Sequence, residues 1–401
     1  MSAERMLPEL PHDVIVDILS RLPCKSLVKF RCVSKQWNSL IRSHKFAKLQ
    51  FSRSTGDTTS RLRLLLCLNP VCSVNYDDLD DFFETRPEVI HEEDAPPLLD
   101  VGNVNYGHII GECNGLICIM LKKPYRRSFL LWNPTTRECK EVRKNDVANL
   151  VDVRCMFDIK SDCKYKVDVY GFGYDSSSDD YKISRLMMVG ANPCTKVVHL
   201  EIYRVGSQTW RKIEHPVFFG MTCIFHNTVP LKPYNWAFLN GAGYWVMSKF
   251  PTKDNVILRF DLGKEEEVKE ITLPPYLSNS EFLCDVIVID GKLALPIKIN
   301  NAEIEIWIMN EYGAGSLFTK KMTVRRSPWC TLMSSTLPIC FPKNGGVLMY
   351  DDSCRLSMRD PEKSWNVTTG FWRRHHLKVY AESLISPYHI PNTDLSLGEI
   401  A

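Results

Sequence analysis

Four residues separate Cys113 from Cys118, and His108 is close by in sequence. Thiolate and imidazole are zinc ligands, but a structural zinc needs four convergent ligands. No second pair repeats the spacing, so these cysteines are expected to be buried strand residues. Gly171-Phe172-Gly173 lacks a third glycine and precedes a polar turn rather than a helix, so it does not cradle phosphate. No GxSxG, HExxH or GxxxxGK[ST] occurs. The adjacent acids Asp179 and Asp180 and the run Glu265 to Glu267 fall in expected turns and read as solubilising charge. Trp132, Trp210, Trp245, Trp307 and Trp365 recur near turn signals and read as packing residues. No catalytic, cofactor-binding or metal-ligating residue is therefore assigned, and the chain is expected to be non-catalytic.

The scaffold around these residues is repetitive. An Asn-Gly or Asp-Gly pair sits between apolar runs at Asn114, Asn240, Asp290 and Asn344. Both central residues of a type I′ turn need positive φ, so each pair predicts a hairpin. A second hairpin pattern follows each one, starting at residues 131, 258, 306 and 357, and a further such pattern starts at 202 behind Ser178-Asp179-Asp180. The period is about fifty residues. Two hairpins per unit make four antiparallel strands, the signature of a β-propeller blade. A pair of β-sandwiches would show shorter turn spacing and no such period. Five blades run from residue 105 to about 375. Residues 62–68 and 72–76, joined by residues 376–386, complete a sixth and lock the ring. The stretch from Asp77 to Asp100 carries ten acids and one Arg and is expected to be a surface loop.

Residues 7–46 differ from all that follows. Val14, Ile15, Ile18, Leu19 and Leu22 form one helical stripe, with Asp13 at the positive end of the dipole and Pro23 closing it. Leu27, Phe30, Val33, Trp37, Leu40 and Ile41 form a second stripe, broken at Ser34, a good N-cap. About forty residues can scarcely bury three apolar helix faces alone, so the leftover surface implies a partner. From Arg21 to Lys48 there are eight Lys or Arg and no acid. That is a solvated face or an attraction to an acidic partner. Core-spaced Phe30, Val33 and Trp37 argue against nucleic-acid binding.

The expected organisation is a helical module at 1–49, a linker at 50–61, the propeller at 62–386 and a tail at 387–401. The chain has 401 residues and a net charge of only +3, which does not favour polyanion binding. No apolar run is long enough to span a membrane. Fifteen scattered cysteines, with no secretory signal at the start, point to reduced thiols in cytoplasm or nucleus.

Leu7-Pro8, DVIVDILSRLP, KSLVKFRCVSKQWNSLI and Phe46 resemble an F-box. CNGLICI, LWNPTTRECKEV, YGFGYDSSSDDYKISRL, EIYRVGSQTWRKI and YAESLIS resemble the F-box-associated interaction domain of plant proteins, a group often labelled F-box/kelch-repeat. The resemblance implies a three-helix F-box followed by a β-propeller of about six four-stranded blades. It also implies the substrate-recognition subunit of an SCF-type ubiquitin ligase. Its partners would be a Skp-type adaptor, through it a cullin scaffold, and an unidentified protein substrate, with no nucleic acid, membrane or cofactor. By the same resemblance Leu7, Pro8, Ile15, Ile18, Leu19, Leu22, Pro23, Leu27, Val28 and Val33 supply or support the adaptor contacts. The 77–100 loop and the insertion after residue 142 become candidate substrate contacts.

Overall fold

The computed structural model describes residues 10–53, 61–66, 71–81, 88–90, 107–123, 126–143, 165–190, 197–213, 221–222, 237–249, 252, 254–265, 267–278, 286–300, 303–310, 317–325, 336–341, 345–351, 355–359 and 377–388. Helices come first: α1 (His12–Ser20), α2 (Cys24–Phe30), α3 (Lys35–Arg42) and α4 (His44–Arg53). Pro11 and Pro23 precede α1 and α2 with extended ψ, where a missing N–H costs nothing. Ser34 caps α3, its Oγ accepting from Trp37 N at 3.1 Å, so the break falls where expected.

The fourth helix exceeds the expected three and runs through residues 50–53, which composition assigned to the linker. Phe46, Ala47 and Gln50 share its buried stripe. Gln50 is a polar residue that burial satisfies: its Nε2 donates to Leu22 O at 3.1 Å and its Oε1 accepts from Cys24 Sγ at 3.4 Å. A satisfied buried amide carries little penalty, and hydropathy alone does not reveal it.

The strands form six antiparallel sheets. The first contains β1 (Leu62–Leu66), β2 (Val71–Asn75), β3 (Glu88–Ile90) and the last strand, β24 (Leu377–Ala381), in the order β24-β1-β2-β3. β24 pairs with β1 from Leu62↔Ala381 to Leu66↔Leu377. Blade 2 holds β4 (Gly107–Cys113), β5 (Leu116–Lys123), β6 (Arg126–Trp132) and β7 (Cys139–Arg143). Blade 3 holds β8 (Tyr165–Asp175), β9 (Asp180–Gly190), β10 (Val197–Arg204) and β11 (Thr209–Ile213). Blade 4 centres on β14 (Ala242–Lys249), with β12 (Met221–Thr222) and β13 (Ala237–Leu239) on one side. β15 (Asn255–Asp261) and β16 (Val268–Thr272) lie on the other. Blade 5 is β17 (Ile287–Ile289), β18 (Lys292–Lys298), β19 (Glu303–Met309) and β20 (Phe318–Arg325). Blade 6, among the described residues, is β21 (Thr336–Cys340), β22 (Val347–Asp351) and β23 (Arg355–Arg359). Strands β24, β4, β8, β13 and β17 lie side by side in turn, and β21 meets β24, so the first and last blades are joined. This is the propeller of about six blades that the repeat predicts.

The turn signals fold as their residues require. Asn114, Gly115, Asn240, Gly241, Asp290 and Gly291 all have positive φ. Asn344 lies outside the described residues. Trp132 and Trp245 are buried, and Trp210 packs on Tyr203 with centroids 5.0 Å apart, as blade-packing residues should. Trp365 is outside the described residues. The acidic stretch is not one loop. Tyr76–Asp81 is a short 3-10 turn with Leu79 fully buried, and β3 forms the outer edge of blade 1. Apolar residues interspersed among the acids override the charge.

The acids of the turns are also more than solubilising. Lys182 is buried and its Nζ reaches Asp175 Oδ2 at 2.7 Å, Glu265 Oε1 at 2.8 Å and Leu262 O at 2.6 Å. Glu265 in turn accepts both Arg204 nitrogens at 2.9 Å and Arg211 at 3.2 Å. Asp180 accepts from Gly206 N at 2.9 Å. The Lys182 network bolts blade 3 to blade 4. The shallow groove beside it, lined by Arg204, Arg211, Lys264, Lys269, Glu265 and Glu267, is already internally paired. Removing one partner of a buried pair strands the others' charge and typically costs ~3–5 kcal/mol. Lys182→Met should therefore lower stability by about that amount in denaturant unfolding, whereas Lys264→Met, at an exposed position, should change it by under about 0.5 kcal/mol.

Candidate docking face of the helical unit

The helices present two different faces. One packs on the propeller: Leu19, Cys24, Leu27, Ile41, Phe46 and Ala47 share a single buried cluster with Ile110, Cys113, Leu116 and Cys118 of blade 2 and Phe172 and Tyr181 of blade 3. Part of the apolar helix surface that forty residues cannot bury alone is thus covered within the chain, by the propeller. Hairpin turns at one end of blades 2 and 3 expose apolar residues that complete the helical core. Cys113 and Cys118 lie in this cluster, where burial pushes both thiols well up. They are core residues held as protonated thiols.

Polar contacts rim this contact. Asp179, at φ 54° in the β8–β9 turn, is bound by the Lys48 ammonium and accepts from Tyr174 Oη at 2.5 Å. Lys48 Nζ also lies 5.4 Å from the Tyr174 ring centroid. His44 Nε2 is 3.5 Å from Asp179 Oδ2. Lys25 Nζ is 3.9 Å from Glu382, and Arg61 donates to Phe51 O at 2.9 Å. Part of the basic run is therefore spent within the molecule: Lys25 and Lys48 hold the propeller, and Arg21 pairs with Asp17 at 3.1 Å.

The other face is bare. Leu10, Val14, Ile18 and Val33 are 59%, 41%, 48% and 59% exposed. Val14 and Ile18 are one turn apart on the outer side of α1, and Leu10 lies just before the helix. Of the ten residues the resemblance marks, Ile18, Pro23 and Val33 are exposed, and Ile15, Leu22 and Val28 are half-buried. Leu19 and Leu27 are buried, so they support the face from below instead of meeting a partner. Leu7 and Pro8 lie outside the described residues. Leu10 and Val14 are not among the ten, although Val14 belongs to the same sequence stripe as Ile18 and lies one helical turn before it. Phe30 and Trp37 pack edge-to-face with centroids 5.9 Å apart, a core role.

Of the expected substrate contacts, residues 82–87 and 91–100 of the acidic stretch and residues 144–164 of the insertion lie outside the described residues. Tyr76, which starts the acidic turn, donates to Asp290 Oδ1 at 3.1 Å and Phe341 O at 2.8 Å, tying it to the turns of blades 5 and 6.

The F-box domain family matches residues 7–49, and the F-box associated beta propeller domain family matches residues 64–369. The chain belongs to the F-box proteins that carry this propeller. It is 25% identical to the F-box/kelch-repeat protein At3g23880 of Arabidopsis thaliana, over 94% of this chain and 96% of that one. It is 26% identical to the F-box protein CPR1 of the same plant, over 84% of this chain and 78% of that one. Among solved structures, TolB from Acinetobacter baumannii superposes with a TM-score of 0.40 at 12% identity, covering 84% of this chain and 71% of that one, a likeness too slight to bear on function.

The rim has a pH dependence. Burial, and then the Lys48 ammonium, push the His44 imidazole below its ordinary range against the pull of Asp179. Its folded pKa is depressed, so its contribution is present above about pH 6.5 and is lost as pH falls toward the folded value. Burial pushes Asp179 up, but hydrogen bonds from Lys48 and Tyr174 outweigh it and hold the carboxyl below its usual range. That contribution is lost only further down, as pH falls through the folded Asp179 value. Acidification from about pH 7 to pH 5 should therefore destabilise the wild-type chain, and His44→Gln should flatten the slope of stability against pH in that interval. Melting curves across a pH series check this; parallel slopes would show that His44 does not couple to docking.

Proposed function

We propose that this protein is the substrate-recognition subunit of an SCF-type ubiquitin ligase. The F-box docks a Skp-type adaptor and through it a cullin scaffold, and the propeller holds a protein substrate for ubiquitination and degradation. In this reading the chain performs no chemistry. It raises the effective concentration of substrate lysines near a ubiquitin-loaded enzyme. Nucleic acid and membrane have no part in it, and the working compartment is cytoplasm, nucleus or both.

The observation that carries the reading is the bare aliphatic stripe Leu10, Val14, Ile18 on helices whose opposite face is already covered by the propeller. Exposed apolar area on an otherwise packed unit marks an interaction site. Each such side chain contributes roughly 1.5–3 kcal/mol when fully buried, about ten- to a hundredfold in Kd. The double variant Val14→Ala/Ile18→Ala should weaken binding to a purified Skp-type adaptor by roughly a hundredfold or more. Both side chains face solvent, so its melting temperature should match the wild type. An affinity within twofold of the wild type would contradict the assignment.

A further inference from the structure

After β24 the chain stays against the molecule through Tyr388. Residues 382–388 cross from blade 1 beneath blade 2 and pass between that blade and the helices. On the propeller side, the buried Asn133 Nδ2 donates to Ile385 O at 2.8 Å and Ser383 O at 3.1 Å. Asn133 Oδ1 meanwhile accepts from Thr135 N at 2.8 Å, closing the β6–β7 turn. Gly115 lies so close that a Cβ there would stand 2.4 Å from Ser383 Oγ and 2.5 Å from Ala381 O. Gly241 and Gly291, at equivalent turns, would meet nothing within 4 Å. Blade 2 thus has a turn cut back to admit this segment. Its far end is fixed where Tyr388 Oη donates to Cys139 O at 2.6 Å.

On the helical side, Leu384 and Ile385 belong to the same buried cluster as Leu19, Cys24 and Leu27. Glu382 stands between the two bodies. Its N donates to Arg61 O at 2.9 Å, and its carboxylate meets the buried Arg63 of β1 at 3.4 Å and Lys25 of α2 at 3.9 Å. A segment bonded on one side to two blades and packed on the other against two helices fixes the angle between them. It follows directly on β24, the strand that closes the ring.

We infer that residues 382–388 are a wedge that sets the angle at which the F-box stands on the propeller, with Asn133, Glu382, Leu384 and Ile385 as positioning residues. The consequence for ubiquitin transfer rests on the proposed function; the wedge itself does not. In a ligase adaptor the gap between bound substrate and ubiquitin-loaded enzyme is set by this angle, so the wedge governs which substrate lysines come within reach. The F-box is also held in its working orientation only after the last strand has closed the ring.

The test uses the full chain carrying a fluorophore pair at Lys35 on α3 and Lys292 on β18, both exposed, attached through non-natural residues. Single-molecule energy transfer should give one narrow distance distribution. Truncation after Ala381, and separately Leu384→Ala/Ile385→Ala, should broaden it at least twofold in width. Leu384→Met/Ile385→Val should restore it. Melting of the propeller should stay cooperative in the double alanine variant, which carries the comparison if the truncated chain unfolds. Adaptor affinity should stay within twofold of wild type throughout. A distribution as narrow in the double alanine variant as in wild type overturns the wedge. Failure of the wild-type chain to bind a Skp-type adaptor overturns the proposed function and leaves the distance result standing.

Discussion

Five residue pairs between Leu62–Leu66 and Leu377–Ala381 hold the first and last strands of the propeller in one sheet. Everything else in the structure depends on that pairing. Without it blade 1 has no inner strand, and blades 2 and 6 each lose a neighbour for their inner strands. An antiparallel strand pair contributes little by itself. Its importance comes from converting an open row of sheets, with two bare edges, into a closed ring with none at the seam. The same strand delivers residues 382–388 to the helices. Closure of the β domain and seating of the α module are therefore parts of one event.

The ring was legible in the sequence because its information is local. Asn-Gly and Asp-Gly pairs need positive φ at both residues, and few other structures accept that, so Asn114, Asn240 and Asp290 announce their hairpins. Ser34 announces a helix start for the same kind of reason. The pairing of residues 62–66 with 377–381 was legible only through the logic of closure. The docking of the helices was not legible. Leu19 and Leu27, which face the propeller, and Ile18 and Val33, which face solvent, are all aliphatic residues on short helices or the turn between them. Periodicity marks an apolar face but not what covers it. Gln50 and Asp179 misled in the opposite direction. A polar residue in a turn or linker reads as solvated, and the partners, Cys24, Leu22 and Lys48, are distant in sequence.

The two faces of the helical unit divide the work. The inner one is spent on rigidity, with a shared apolar cluster and a rim of polar contacts converging on Asp179 and Glu382. The outer one keeps Leu10, Val14, Ile18 and Val33 in water at the cost of exposed apolar area. A monomer gains nothing from such a stripe; a subunit of a larger assembly does. Joining F-box and propeller through a core instead of a free linker makes the chain a spacer of fixed geometry. Phe51 at the end of α4 and Arg61 just before β1 are themselves in contact.

Hydrogen–deuterium exchange of the full chain, with and without a purified Skp-type adaptor, tests most directly the claim that one helical face binds outward while the other stays seated. Adaptor should protect amides of residues 12–20 and 31–35. Residues 382–388 and the β8–β9 turn around Asp179 should keep the same slow exchange in both states. Protection confined to the propeller, or faster exchange at 382–388 when adaptor binds, would contradict the account.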